Sequence, residues 1–100
     1  MPNPVMHVVL FRWKEGVPQE TIDEIARLLH RLPECVPGLQ WLTFGESFSD
    51  RSRGYTHALA SRMDDRNALR VYIEHPEHQD VAQRLILPHV AEVLACDWEA

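Results

Sequence analysis

The run Val5 to Trp13 constrains this chain most, because nearly every residue in it is apolar or β-favouring and the apolar side chains fall on both parities. Val8 and Leu10 share one parity; Val9, Phe11 and Trp13 share the other. Such a strand belongs inside a sheet with both faces covered. Gly16 and Pro18 close it. Ile22, Ile25, Ala26, Leu29 and Leu32 then recur at three- and four-residue steps, Thr21 and Glu24 have capping-box spacing, and Pro33 ends the pattern, which predicts an amphipathic helix. After Pro37-Gly38, residues Leu39 to Phe48 alternate as a second strand, with Leu39, Trp41 and Thr43 on one face and Leu42 and Phe44 on the other. The polar stretch Ser49 to Gly54 reads as a hairpin loop. It leads into a third strand, Tyr55 to Met63, with His57, Leu59 and Ser61 on one face and Thr56, Ala58 and Ala60 on the other.

Asp64 is placed to cap a second helix, whose stripe of Ala68, Leu69, Tyr72 and Ile73 stops at His75-Pro76 because proline disfavours helical geometry in the residue before it. A shorter helix is predicted from Glu77 to Leu87, with Val81, Leu85 and Ile86 inward, and Pro88 ends it. The alternation from Ala91 to Trp98 suits a final strand. The order β-α-β-β-α-β predicts an α+β, ferredoxin-like fold, with a four-stranded antiparallel sheet and both main helices on one face. The other face, carrying Val8 and Leu10, is left apolar, and a second subunit is its simplest cover. Without repeats, linkers or low-complexity segments, residues 1–100 read as a single domain.

Charge narrows the partners. Ten Lys and Arg against 15 Asp and Glu give a formal charge of -5, which repels phosphate backbones and anionic lipid, so nucleic acid and membrane are not expected. No apolar run approaches the roughly 18 residues of a membrane helix. Met1-Pro2-Asn3-Pro4 lacks the basic start and long apolar stretch of a leader, and a cytoplasmic protein is expected. Cys35 and Cys96 are far apart and lack ligand spacing, which predicts buried reduced thiols.

The most specific signal is Tyr72-Ile73-Glu74-His75-Pro76-Glu77-His78. With His7 opening strand one, Pro37-Gly38, Gly45, Ser49, Gly54-Tyr55-Thr56-His57 and the Asp97-Trp98 ending, the chain resembles the stress-responsive A/B-barrel (Dabb) family over nearly its whole length. The resemblance implies a dimeric α/β barrel. The family includes structural stress proteins and a polyketide cyclase that closes a ring by aldol condensation. In that cyclase the residues matching His78 and Tyr72 act as general base and as hydrogen-bond donor to the carbonyl, and those matching His7 and His57 line the pocket. The resemblance thus implies catalytic His78 and Tyr72, with His7, His57, Val9, Phe11 and Leu59 binding substrate in a cleft between sheet and helices. The cyclase's further pocket tyrosine on the first helix has no counterpart among Ala26, Leu28 and Leu29, so a different substrate is expected.

The chemistry is compatible with that role. A histidine takes a proton near neutral pH, and a desolvated tyrosine stabilises a developing enolate or alkoxide, with no cofactor required. The bland reading makes Tyr72 a core aromatic and His78 a helix-boundary residue. His75 and His78 are three apart, but Pro76 between them turns the rings apart, and no metal site is expected. His30 and His89 read as solvated, and the acidic residues Glu15, Glu20, Asp23 and Glu24 as complements to a helix dipole. Three functions compete: cofactor-free acid–base chemistry on a small carbonyl or polyketide-like metabolite, a non-catalytic oligomeric stress protein, and a cofactor-independent monooxygenase using Trp13 or Trp41.

Overall fold

A computed structural model describes residues 2–100. Its strands are β1 (Val5–Trp13), β2 (Leu39–Glu46), β3 (His57–Met63) and β4 (Val90–Glu99), in one antiparallel sheet of order β2-β3-β1-β4. Helix α1 (Gln19–Arg31) links β1 to β2, ending in a 3-10 turn at Leu32–Glu34. Helix α2 (Arg66–Glu74) follows β3. From Pro76 the chain stays helical through α3 (Pro76–Asp80), a π-helical stretch at Val81–Ile86 and a closing turn, α4 (Leu87–His89). The doubly apolar first run therefore becomes a central strand.

Ile22, Ile25, Leu29 and Leu32 fill one face of α1 and its extension, packed over Val5, Phe11, Leu59 and Met63 from the sheet. All of these sheet residues belong to one parity. The opposite parity, including Met6, Val8, Leu10, Ala58 and Ala60, has no helix over it and is only half-buried. Along edge strand β4, Leu94 and Trp98 project from that uncovered face and are largely exposed.

Several local expectations are corrected. Strand β2 bulges between Leu39 and Trp41, so Leu39 joins Leu42 and Phe44 in the core while Trp41 faces out. The capping box at Thr21 and Glu24 does not form: α1 starts at Gln19 behind Pro18 with no side-chain cap, and Glu24 pairs with Arg27. The second helix is capped by Asp65, one residue later than expected, whose carboxylate accepts from the Ala68 amide at 2.8 Å. Ala68 and Tyr72 are the buried residues of α2; Ile73, one step round the helix, is exposed. Both cysteines are free but exposed rather than buried, Cys35 beyond the 3-10 turn and Cys96 on β4 opposite Val8. Nor are the two outlying histidines simply solvated. His30 donates from Nδ1 to the Ala26 carbonyl and accepts the Phe44 amide at Nε2, tying α1 to β2, and His89 bonds the Leu85 carbonyl within the closing turn.

Gly38 makes the tightest backbone approach. It sits at φ +82° in the turn before β2, its carbonyl accepts the Asp64 amide at 2.9 Å, and an added Cβ would lie 2.7 Å from the Cβ of Ala68. A side chain there meets both a disfavoured conformation and a packed helix. Gly38→Ala is expected to destabilise the fold by about 2–4 kcal/mol, read as a lower urea midpoint at unchanged slope. An unchanged midpoint would show that α2 can move away.

Candidate functional site

The Tyr-x-x-His-Pro-x-His run is shaped by its proline. Helix α2 ends at Glu74, His75 is extended with φ −63° and ψ 135°, and its Nδ1 accepts the Glu77 amide at 3.1 Å, capping α3. The chain reverses there, so His78 returns over Tyr72 with ring centroids 4.5 Å apart. Tyr72 in turn meets His7 of β1 edge-on at 5.6 Å. The register pairs His7 with Asp97 of β4 on the helix-covered face, and the Asp97 carboxylate accepts from Nδ1 of His7. Four side chains from β1, α2, α3 and β4 thus meet at one end of the sheet.

Hydrogen bonds fix the proton positions. His78 donates from Nδ1 to the Ile73 carbonyl at 3.0 Å, which leaves Nε2 as the lone-pair nitrogen of its neutral ring. His7 holds its Nδ1 against the Asp97 carboxylate, which fixes the orientation of its ring. The Tyr72 hydroxyl has no hydrogen-bond partner among the described residues, although the residue is only 1% exposed. Among the described residues no fully buried side-chain nitrogen or oxygen lacks a partner, which leaves this hydroxyl slightly accessible at the edge of the core.

Burial pushes the Tyr72 hydroxyl far above the ordinary tyrosine range and keeps it a proton donor. Burial also lowers His78 from the ordinary 6.5, against the raising effect of the Ile73 carbonyl and with smaller help from His7 and His75. His57 is lowered by burial too, against a weaker pull from Glu46. These two lowered values have a stability consequence. Below 6.5 the unfolded chain takes up protons at these positions before the folded chain does, so stability falls as pH drops from 6.5 towards the lowered values. The carboxylates held low by cationic neighbours, such as Asp80 beside Arg84, lose their contribution only in more acid solution, below the ordinary carboxylate range. We expect the urea midpoint to decline between pH 7 and 5 and the His57→Gln/His78→Gln double variant to flatten that decline. An equally steep variant would place the titration elsewhere.

His57 is not part of the Tyr72 cluster. It pairs with Phe11, whereas His7 pairs with Ser61, four residues away along β1 and β3, which is roughly 13 Å of strand. Val9 and Leu59, paired with each other, lie between them. His57 instead stacks on Phe44 at 5.6 Å and accepts the Trp13 indole N–H at Nδ1, at 2.9 Å, while the Thr56 hydroxyl lies at the same distance. Phe11 is buried against both Trp13 and Phe44, with centroids 5.5 Å apart in each case. Trp41, the other indole named for oxygen chemistry, faces the opposite side of the sheet from Trp13.

Two surface clefts approach these clusters. One of about 240 Å³, lined by Val5, Leu69, Arg66, Asp97, Trp98 and Glu99, reaches the first cluster at Asp97. The other, about 200 Å³ between α1 and β2, reaches His57 past Ile22, Phe44 and Glu46. Neither Tyr72 nor His78 lines them. Asp97 is the site residue that sequence reasoning left as a motif ending. Its parity in the last strand and the antiparallel return beside β1 were the available signals.

The strand order, the helices on one side of the sheet and the open apolar face define a ferredoxin-like α+β domain. The family model described as Stress responsive A/B Barrel Domain matches residues 5–100, and the chain belongs to that family. It is 31% identical over 99 residues to the Stress-response A/B barrel domain-containing protein HS1 of Arabidopsis thaliana, covering 97% of this chain and 90% of that protein. Its fold matches a dimeric ferredoxin-like protein of unknown function from Thermobifida fusca with TM-score 0.88 at 25% identity, over 100% of this chain and 93% of that one. A hydroxynitrile lyase from Passiflora edulis has the same fold, with TM-score 0.89 at 22% identity over 100% of this chain and 95% of that one.

Proposed function

We propose that this chain forms a homodimer through its helix-free sheet face and that each subunit binds and converts a small carbonyl compound by acid–base chemistry without a cofactor. The observation that carries the reading is the Tyr72 hydroxyl, without a hydrogen-bond partner among the described residues in an otherwise buried ring packed between two histidines. A purely structural tyrosine at such burial would have its hydroxyl satisfied. Here the lone donor sits beside His78, whose neutral ring leaves Nε2 free to take a proton.

The division of labour follows from the proton positions. His78, held neutral by burial, takes the proton at Nε2 from the carbon next to a carbonyl or from a hydroxyl. Tyr72, held protonated, donates to the oxygen on which negative charge develops. Asp97 orients the His7 ring. Val9, Phe11 and Leu59, packed beneath α1, back the site from within the core, and His57 serves the separate cleft between α1 and β2 rather than the reacting atoms. The hydroxynitrile lyase of the same fold supports this class, since hydroxynitriles are themselves carbonyl adducts.

The dimer reading rests on exposed apolar surface. Trp41, Leu94 and Trp98, all over 40% exposed, flank Val8 and Leu10 on the face without helices. A non-catalytic stress protein is the second reading, favoured by the near-complete closure over Tyr72. The test is to incubate the dimer with hydroxynitriles and short β-polyketones in the presence of EDTA, following aldehyde release and ring closure. Turnover above that of heat-inactivated protein supports the enzyme. No conversion and no saturable binding across the panel would return the cluster to a structural role.

A further inference from the structure

We propose that Phe48 docks into a second copy of this chain, entering the apolar groove that the partner carries at the hairpin end of its helix-free face. The inference rests on the dimer reading above and adds the contact that fixes how the two copies are aligned. Phe48 stands just beyond β2 and is 103% exposed, whereas Phe11 and Phe44 are buried. Nothing among the described residues shelters the ring. A groove of about 340 Å³ lies at the same end of the sheet, floored by Leu10, Ala58 and Leu94 and walled by Tyr55, Arg51 and Arg53. Its floor continues the apolar surface already assigned to the dimer.

Charge selects a second copy as the occupant. Glu46 and Asp50 flank Phe48 at two residues on either side, and the groove is rimmed by Arg51 and Arg53. Neither arginine takes part in an ion pair among the described residues. Arg53 is also held at φ 53°, an unusual conformation for a residue with a side chain, next to Gly54 at φ 86°. An aromatic residue between two acids therefore faces an apolar groove between two bases. Because the ring and the groove's rim arginines belong to one hairpin, and the groove floor lies beside it, a two-fold axis near that end makes the contact twice, each Phe48 in the other's groove. Buried aromatic anchors of this kind dominate the energy of many interfaces.

Phe48→Ser tests the contact cleanly, since a ring that touches nothing in its own chain can be removed without harming the subunit. We expect an unchanged circular dichroism spectrum and a dimer dissociation constant raised at least about tenfold by sedimentation equilibrium. In parallel, p-benzoylphenylalanine placed at position 48 in a mixture of ¹⁴N and ¹⁵N chains is expected to give cross-links of mixed isotope, to peptides containing Leu10, Ala58 or Leu94. Cross-links confined to one chain, or a groove that stays open to a hydrophobic dye in the intact dimer, overturn the proposal. A dimer disrupted by Leu10→Asp but indifferent to Phe48→Ser overturns this contact alone and leaves the dimer reading standing. A wild-type chain that is monomeric at all concentrations overturns both.

Discussion

Replacing Leu10 by aspartate is expected to convert the proposed dimer to monomer or aggregate. Leu10 lies on the helix-free parity of central strand β1, between Ala58 of β3 and Leu94 of β4. In a single subunit it is half-buried, so the substitution is tolerated there with its carboxylate in water. In the dimer the same carboxylate would be buried against apolar side chains without a partner. Unpaired buried charges of this kind typically cost about 3–5 kcal/mol, equivalent to at least a roughly hundredfold weaker association. Sedimentation equilibrium with a folded, monomeric Leu10→Asp chain is the expected outcome. A dimer of wild-type affinity would move the interface to another face.

The second large effect falls on the site. His78→Ala removes the proposed base and is expected to lower turnover by about 10²- to 10⁴-fold while the dimer persists, because α3 lies on the covered side of the sheet. Tyr72→Phe separates chemistry from packing. Among the described residues the hydroxyl has no partner to lose, so this variant should be as stable as the parent or slightly more so, yet lose about 10²- to 10³-fold in rate. Coupled loss of stability in Tyr72→Phe would reveal a structural hydrogen bond, and full activity in His78→Ala would end the acid–base account.

Much of the fold was legible because its signals are local. The doubly apolar run of β1 required a central strand, and Ile22, Ile25 and Leu29 had to share a helix face. The errors came where one residue's geometry overrides the pattern. A single extra residue at the β2 bulge moved Leu39 to the other face, which strict alternation cannot anticipate. Pro18 took the start of α1 three residues ahead of the Thr21 capping box. The cysteines show a different limit: a small apolar side chain suits a core, but Cys96 lies on the face a partner is proposed to cover, where one chain leaves it exposed.

The site was legible as residue types rather than as an arrangement. The spacing of Tyr72, Pro76 and His78 contains the reversal that stacks the two rings, because proline sets the bend between α2 and α3. The separation of His57 from His7 and the bond from His7 to Asp97 depend on strand register, which pairs residues 90 positions apart in the chain. Register is set by the whole sheet.

The central claim is that Tyr72 and His78 face a ligand, and a crystal structure of the dimer grown with a mixture of small aldehydes, β-diketones and hydroxynitriles tests it most directly. The account predicts density within hydrogen-bonding distance of the Tyr72 hydroxyl and of His78 Nε2. A dry, closed core with the hydroxyl bonded to a neighbouring group would contradict it and leave a structural dimer.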